Sequence, residues 1–528
     1  MKKRLFYFLI AAIIIFSVFA GIMIWRYENL KGITKFHEKS FTAPASSKYV
    51  PENAELVIHW KMNPSIIPNY VGNYQDKKNK SIVNKKTRLI RDSLFKLISL
   101  DFTKDISKWA GSHGSFAIFD RNNQSINDWL MILEIKQNIN IEKELEIISS
   151  PNIINLSNKS SIKFNNSNSI RSQREINSNQ TIYFTNEQGH VLISSNPKII
   201  TSSIKQFKNK TFSSKANYKN FQLKENINDG ILLLEISPNR ISKLIGQDEN
   251  LLEINQTDKL ISSLNIDKKN LMFEGVLFYK TKNKSQINNS SLNLINFNRE
   301  LKLIDNFISI NNPKEYFVNN STHPYKSLIV SFIQKLLAEN NSNLFQIILQ
   351  NTDGNVLLLK NKDWLALTKK NYTQKNEITD LIKKEKFSNS NIDFKNKSLE
   401  VWSKLSTREN EKYQLNENIK AIIEENEGRY IWGQKLESIA DLDDQEYLDK
   451  DYNSENLIDK IDDFDNILQI HLGKKKTKEF LNDFYPYILF KTMLGNKVNP
   501  PSSIDISIAI PTVNYPDFIK FEINLKTS

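Results

Sequence analysis

Leu5–Trp25 (LFYFLIAAIIIFSVFAGIMIW) is the stretch that most constrains this chain. Its 21 residues carry no charge, and a helix of about 20 apolar residues crosses the hydrocarbon core of a bilayer. Such a helix satisfies its own backbone polar groups, which lipid requires. Lys2, Lys3 and Arg4 precede it, while Arg26, Glu28 and Lys31 follow with a weaker balance. The positive-inside rule then places residues 1–4 in the cytoplasm, 5–25 in the membrane and the remainder on the far side. A cleaved secretory signal ending near Val18-Phe19-Ala20 is the competing reading. The apolar run continues to Trp25, and Trp25 and Tyr27 suit the aromatic belt of a retained anchor. With no cysteine, a lipoprotein-type anchor, disulfides and thiolate metal sites are all excluded.

The chain has 528 residues and a formal net charge of +13, which invites a nucleic-acid reading. The excess comes from lysine scattered through an Asn-, Ile- and Ser-rich sequence, whereas base readout favours arginine. A solvated basic surface and no nucleic-acid partner is the better reading, with a modest attraction to anionic lipid headgroups. Residues 26–48 read as a polar stalk, 49–285 as a first ectodomain lobe and 286–528 as a second.

Apolar alternation places strands at Glu55–Trp60, Ser115–Asp120, Asp128–Lys136, Thr181–Thr185, His190–Ser195, Gly230–Ile236, Leu271–Thr281, Phe345–Gln350, Val356–Lys360, Leu399–Leu405, Gly428–Gly433, Ile504–Ile510 and Phe518–Leu525. Helical spacing appears at Thr87–Ser99, Ile141–Ser149, Asn196–Phe207 and His323–Asn340, with shorter helices at Asp363–Lys370, Ile378–Lys384 and Asn418–Glu425. Lys78–Lys86 reads as a basic, solvated loop. Hairpins outnumber β-α-β units, so the expected fold is α+β, with mostly antiparallel sheets and helices on one face. A strand running into Asn-Pro or Ser-Pro and then a short helix recurs at Leu56–Val71, Val191–Phe207 and Ile231–Gly246. Two readings stand: an internal duplication with its second copy starting near Ile227, and chance reuse of a common junction.

The chemistry-bearing motifs are few. No phosphate loop, dinucleotide fingerprint, zincin helix or nucleophile elbow occurs. His37, His59, His113, His190, His323 and His471 are far apart, with no pair at ligand spacing. Gly111-Ser112-His113-Gly114-Ser115 is the most enzyme-like stretch, as a nucleophile with an oxyanion turn. Adjacent side chains seldom face each other, so a tight turn entering a strand explains it better. Asp449, Asp451, Asn453 and Glu455 alternate like the start of a calcium loop. Ser454 and Lys460 occupy the positions where that loop needs Gly and Glu, so a solvated acidic loop is the plainer reading. Phe480, Phe484, Tyr487 and Phe490 crowd one helical stretch, either as core or as a groove for a lipid-like ligand or partner.

Ala43-Pro44-Ala45, Val50-Pro51-Glu52-Asn53-Ala54-Glu55-Leu56-Val57, Asn63-Pro64, Leu100-Asp101-Phe102, Asp105-Ile106, Trp109, Gly111 and Glu400-Val401-Trp402-Ser403-Lys404-Leu405 form a recurring set. With the N-terminal apolar stretch, it resembles the uncharacterised family DUF3352, membrane-anchored proteins of cyanobacteria. The resemblance covers most of the chain. It implies an extracytoplasmic α+β protein in the plasma or thylakoid membrane, facing periplasm or lumen, and no activity, cofactor or catalytic residue. The expected function is a non-enzymatic, membrane-anchored binding or scaffolding protein with a protein or lipid partner. The alternatives are a carrier or chaperone for a lipid-like ligand and a hydrolase with an unrecognised site.

Overall fold

The computed structural model describes residues 44–73, 75–96, 100–119, 128–148, 153–155, 182–209, 232–237, 257–267, 270–279, 306–318, 326–337, 343–360, 363–407, 415–426, 428–440, 464–483, 501–511 and 518–526. Leu5–Trp25 lies outside them. No helix among the described residues is long and apolar enough to cross a membrane. The chain divides into two compact units. Unit 1 holds residues up to Ile66, Phe95–Leu234 and Ser263–Asn265, and unit 2 holds Ile67–Leu94, Glu235–Ser262 and everything from Ile266.

Unit 1 is built on strands β1 (Leu56–Trp60), β2 (Ala110–Phe119), β3 (Asp128–Ile135), β4 (Ile153–Asn155), β5 (Ile182–Glu187) and β6 (His190–Ser194). They pair in the order β1-β2-β3-β6-β5-β4, antiparallel except for β4 with β5. Alternation sets the buried face, and Val57, Ala117, Leu130, Ile132 and Leu192 share one core with Tyr49 and Ile200. Ile200 comes from the helix Pro197–Asn209, which opens at the expected Asn-Pro junction, where Asn196 Oδ1 accepts from Lys198 N at 3.0 Å.

Strands β7 (Leu232–Ile236) and β8 (Thr257–Asp267) contribute residues to both units. The remaining strands of unit 2 are β9 (Asn270–Tyr279), β10 (Asn306–Asn311), β11 (Asn355–Lys360), β12 (Trp364–Lys369), β13 (Ser388–Phe394), β14 (Lys397–Thr407), β15 (Leu415–Asn426), β16 (Arg429–Gly433), β17 (Phe464–Leu472), β18 (Ser503–Pro511) and β19 (Phe518–Lys526). Their order is β9-β19-β18-β17-β10-β11-β12-β16-β15-β14-β13, antiparallel throughout. The fold is thus α+β with mostly antiparallel sheet.

Four local expectations are corrected. Asn343–Asn351 is a helix and not the strand expected at Phe345–Gln350; Leu344, Phe345, Ile347 and Ile348 are buried at helical spacing. Asp363–Lys370 contains strand β12. It pairs on both edges and buries both faces, so its apolar residues run continuously instead of alternating. Asn418–Glu425 is part of β15, held between β14 and β16 despite its charged residues. Lys78–Lys86 lies inside the helix Lys77–Lys96 and is not a loop. The helix starts where Asp76 Oδ1 accepts from Asn79 N at 2.9 Å, and it buries Val83 against Val71 and Ile90.

Close approach fixes Gly275 on β9. A Cβ there would lie 2.4 Å from Phe521 Cζ and 2.6 Å from the Ile261 carbonyl oxygen. Gly275→Ala is therefore expected to cost about 1–3 kcal/mol by overpacking. Leu365→Ala, in the fully buried β12, is expected to cost about 2–5 kcal/mol. Leu405→Ala, at an exposed position, should stay within about 0.5 kcal/mol. Urea unfolding of the three variants checks the order.

Candidate functional site

The Gly111–Ser115 stretch sits in β2 as a bulge. Ala110 pairs with Ile135 and Gly114 with Leu133, so the two strands lose register between those points. Contact requires Gly114, while at Gly111 the Glu134 side chain would have to shift. A Cβ on Gly111 would lie 2.6 Å from Glu134 Oε2, and one on Gly114 would lie 2.3 Å from Trp60 Cζ2. The bulge turns two backbone N–H groups to the same point. Ser112 N and His113 N donate to Glu134 Oε2 at 3.2 and 3.1 Å, and His113 Nδ1 lies 3.1 Å from that oxygen. These are the donors an oxyanion turn would need. The protein's own carboxylate occupies them. Ser112 and His113 share no hydrogen bond with each other among the described residues.

Next to this bulge, His190 pairs in register with Glu134. Burial lowers its pKa. Its ring lies 5.2 Å from that of Tyr49, which stacks on Phe207 at 4.4 Å. The Tyr49 hydroxyl donates to the Glu187 carbonyl oxygen at 3.2 Å, and burial pushes its pKa up to about 12.

The serine that does meet a histidine is Ser115. It faces His59 across β1 and β2, with His59 Nδ1 2.6 Å from Ser115 Oγ. Ser115 Oγ donates onward to Ser46 Oγ, also at 2.6 Å. His59, Ser115 and Ser46 thus form one hydrogen-bonded row that ties β1, β2 and the turn Ala45–Tyr49 together. All three side chains belong to residues with no solvent exposure. The turn Ala45–Tyr49 brings Ser46 to β2, and Gln206 Nε2 donates to the Val50 carbonyl oxygen at 3.0 Å.

Unit 2 carries a second histidine contact. His471 on β17 pairs with Asp505 on β18, with Nδ1 2.5 Å from Oδ1. Lys526 Nζ lies 2.8 Å from Asp505 Oδ2, and Phe307 stacks on the imidazole at 5.6 Å. Burial pushes the Asp505 carboxyl up, and His471 and Lys526 outweigh it, so its pKa lies below the ordinary value. The pair belongs to a polar sheet face. Ser309, Gln469, Ser507, Glu522 and Glu274 stand opposite one another on successive strands. The other face carries Ile308, Ile470, Ile506, Ile523 and Phe273 in the same way.

Of the other expected site residues, Phe480 is half-buried on the helix Lys474–Asp483. Phe484, Tyr487 and Phe490, and Asp449, Asp451, Asn453 and Glu455, lie outside the described residues. Among the described residues no group of three His, Asp or Glu side chains could hold a metal ion.

A family model described as a protein of unknown function (DUF3352) matches residues 8–527. The chain belongs to this family. No curated protein matches this DUF3352 chain. Two crystal forms of TP0453, forms I and III, are similar to it at TM-score 0.23, with 9% and 8% sequence identity. They cover 45% and 46% of this chain and 79% and 83% of TP0453. At that TM-score the likeness carries no argument.

Two outcomes follow from the geometry. Ser46→Ala takes away a hydrogen-bond partner of the buried Ser115 hydroxyl and is expected to cost about 1–3 kcal/mol in denaturant unfolding. Asp505 has a folded pKa below its unfolded value, so its contribution is present at neutral pH. That contribution is lost as pH falls below about 4 and on through the folded pKa. Asp505→Asn should lower stability at pH 7 and flatten the acid limb of the stability–pH curve.

Proposed function

We propose that this chain is a membrane-anchored, extracytoplasmic binding scaffold made of two related lobes. The anchor is Leu5–Trp25, oriented by Lys2, Lys3 and Arg4. The observation that carries the non-enzymatic part is the burial of the Ser46–Ser115–His59 row. None of the three residues meets solvent, so Ser115 Oγ is not presented to a substrate. The neighbouring N–H pair is taken up by Glu134. The hydrolase alternative loses its strongest local hint.

The lobes are supported by strand order. In one run the order is β1-β2-β3-β6-β5, and in the other β10-β11-β12-β16-β15. Asp128-Trp129-Leu130 opens β3, and Asp363-Trp364-Leu365 opens β12. Gly189 and Gly428, both at positive φ, precede β6 and β16. On this reading the second copy begins at Asn306. Each strand of one run has a partner at the same step of the other, which chance reuse of a strand–helix junction does not supply.

Fractionation of host cells tests the anchor, and ester hydrolysis tests the scaffold. The full chain should stay in membranes through high salt and alkaline carbonate, leave only with detergent, and be digested by protease added from the far side. Release by carbonate would overturn the anchor. Purified in detergent, it should hydrolyse p-nitrophenyl esters no faster than its Ser112→Ala and Ser115→Ala variants. Turnover lost on Ser115→Ala would restore the hydrolase.

A further inference from the structure

The helix Lys77–Lys96 concentrates the charge of this protein as no other described element does. It carries Lys77, Lys78, Lys80, Lys85, Lys86, Arg88, Arg91 and Lys96, against Asp92 alone within the helix and Asp76 at its start. Asp92 is taken by Arg91 at 2.8 Å. Asp76 caps the helix. None of Lys77, Lys78, Lys80, Lys85, Lys86 and Arg88 forms an ion pair among the described residues. Elsewhere in unit 2, lysines find carboxylates: Lys314 with Asp353, Lys375 with Glu400, Lys397 with Glu424, Lys420 with Glu385 and Lys435 with Asp363. Six such cations on one helix are the densest run of them among the described residues.

Their placement is one-sided. Val83 and Ile90, two turns apart, face the protein. Lys77, Ser81, Lys85 and Arg88 succeed one another a turn at a time on the opposite face, with Lys78 and Leu89 alongside, and all six are exposed. The apolar stripe is already used, so the helix cannot sink into lipid as a free amphipathic helix does. What it offers outward is a row of point charges with one apolar side chain, Leu89, at 50% exposure. Flexible ammonium groups suit a fluid array of phosphates better than the planar, bidentate readout of bases that arginine supplies. Residues 26–43 hold Pro44 within about 70 Å of the end of the apolar stretch, even fully extended. The bilayer is thus the polyanion held close to this chain.

We propose that the exposed face of Lys77–Lys96 docks on the phosphate headgroups of an anionic bilayer, as a second membrane contact of the tethered chain. This rests on the reading of Leu5–Trp25 as an anchor. The contact is electrostatic, so salt weakens it and neutral lipid does not support it.

The chain has no cysteine, so Ser81→Cys gives a single labelling position on this face. The full chain carrying an environment-sensitive dye there is reconstituted into phosphatidylcholine vesicles and into phosphatidylcholine–phosphatidylglycerol vesicles. Energy transfer from the dye to a headgroup acceptor should rise only with phosphatidylglycerol and be reversed by high salt. Exchanging Lys77, Lys78, Lys85 and Arg88 for Gln should weaken the response by at least about tenfold while leaving the circular dichroism unchanged. Equal transfer in both lipids, or a response indifferent to the four exchanges, would overturn the proposal. A response to oligothymidylate but not to phosphatidylglycerol would also overturn it, making the face a nucleic-acid site. Flotation with phosphatidylcholine alone reads the anchor and not this helix, so failure of the tether is seen separately from failure of the docking face.

Discussion

Pairing of β10 on both edges is the constraint on which unit 2 depends. One edge bonds to β11, close in sequence, and the other to β17, which the chain reaches only after β16. Remove that strand and the β11–β16 run and the β17–β19 run have no common member. Its sequence reflects the position: Ile308 and Ile310 are fully buried, and Asn306 at its start accepts from Gly473 N at 3.1 Å. Such a non-local closure forms only after a long loop has been ordered, which makes it a slow step in folding.

The polar groups that look chemical are best understood through burial. A hydrogen bond adds about 1 kcal/mol net, while a buried polar group left without one costs more. Ser46, Ser115 and His59 answer that cost by closing on one another. Glu134 does so by filling the N–H groups of the Gly111–Gly114 bulge. Asp505 is held ionised by His471 and Lys526 although burial opposes it. Each group is spent on holding strands in register, and in each case the partner lies on a neighbouring strand or turn.

Much of the fold is legible from the sequence because period-two alternation survives wherever one sheet face is apolar. Ile504, Ile506 and Ile508 show it plainly. The reading fails where both faces are buried, as in β12, or where charge masks a strand, as in β15. Proline junctions are common to any strand-to-helix turn and so mark no correspondence between strands, whereas Asp-Trp-Leu stands both at the start of β3 and at the entry to β12. Of the site, the Gly111–Ser115 stretch is legible as a break in regular structure, but it is a bulge inside β2 and not a turn ahead of the strand. Its true partners are not legible: His59 and Ser46 reach Ser115 from distant parts of the chain. Asp505 left one signal, a carboxylate inside a strand of alternating isoleucines. Nothing local points from it to His471.

The docking of Ala45–Tyr49 has a mechanical meaning. Tension applied to the chain ahead of Pro44 does not peel an end strand away one bond at a time. It arrives first at Ser46, whose oxygen is bonded to the interior of β2, and at Tyr49, wedged between His190 and Phe207. Several contacts must then break together, so the load is shared in shear across β2 and β6. A short turn with four small or polar residues thus acts as a strain relief for the sheet behind it.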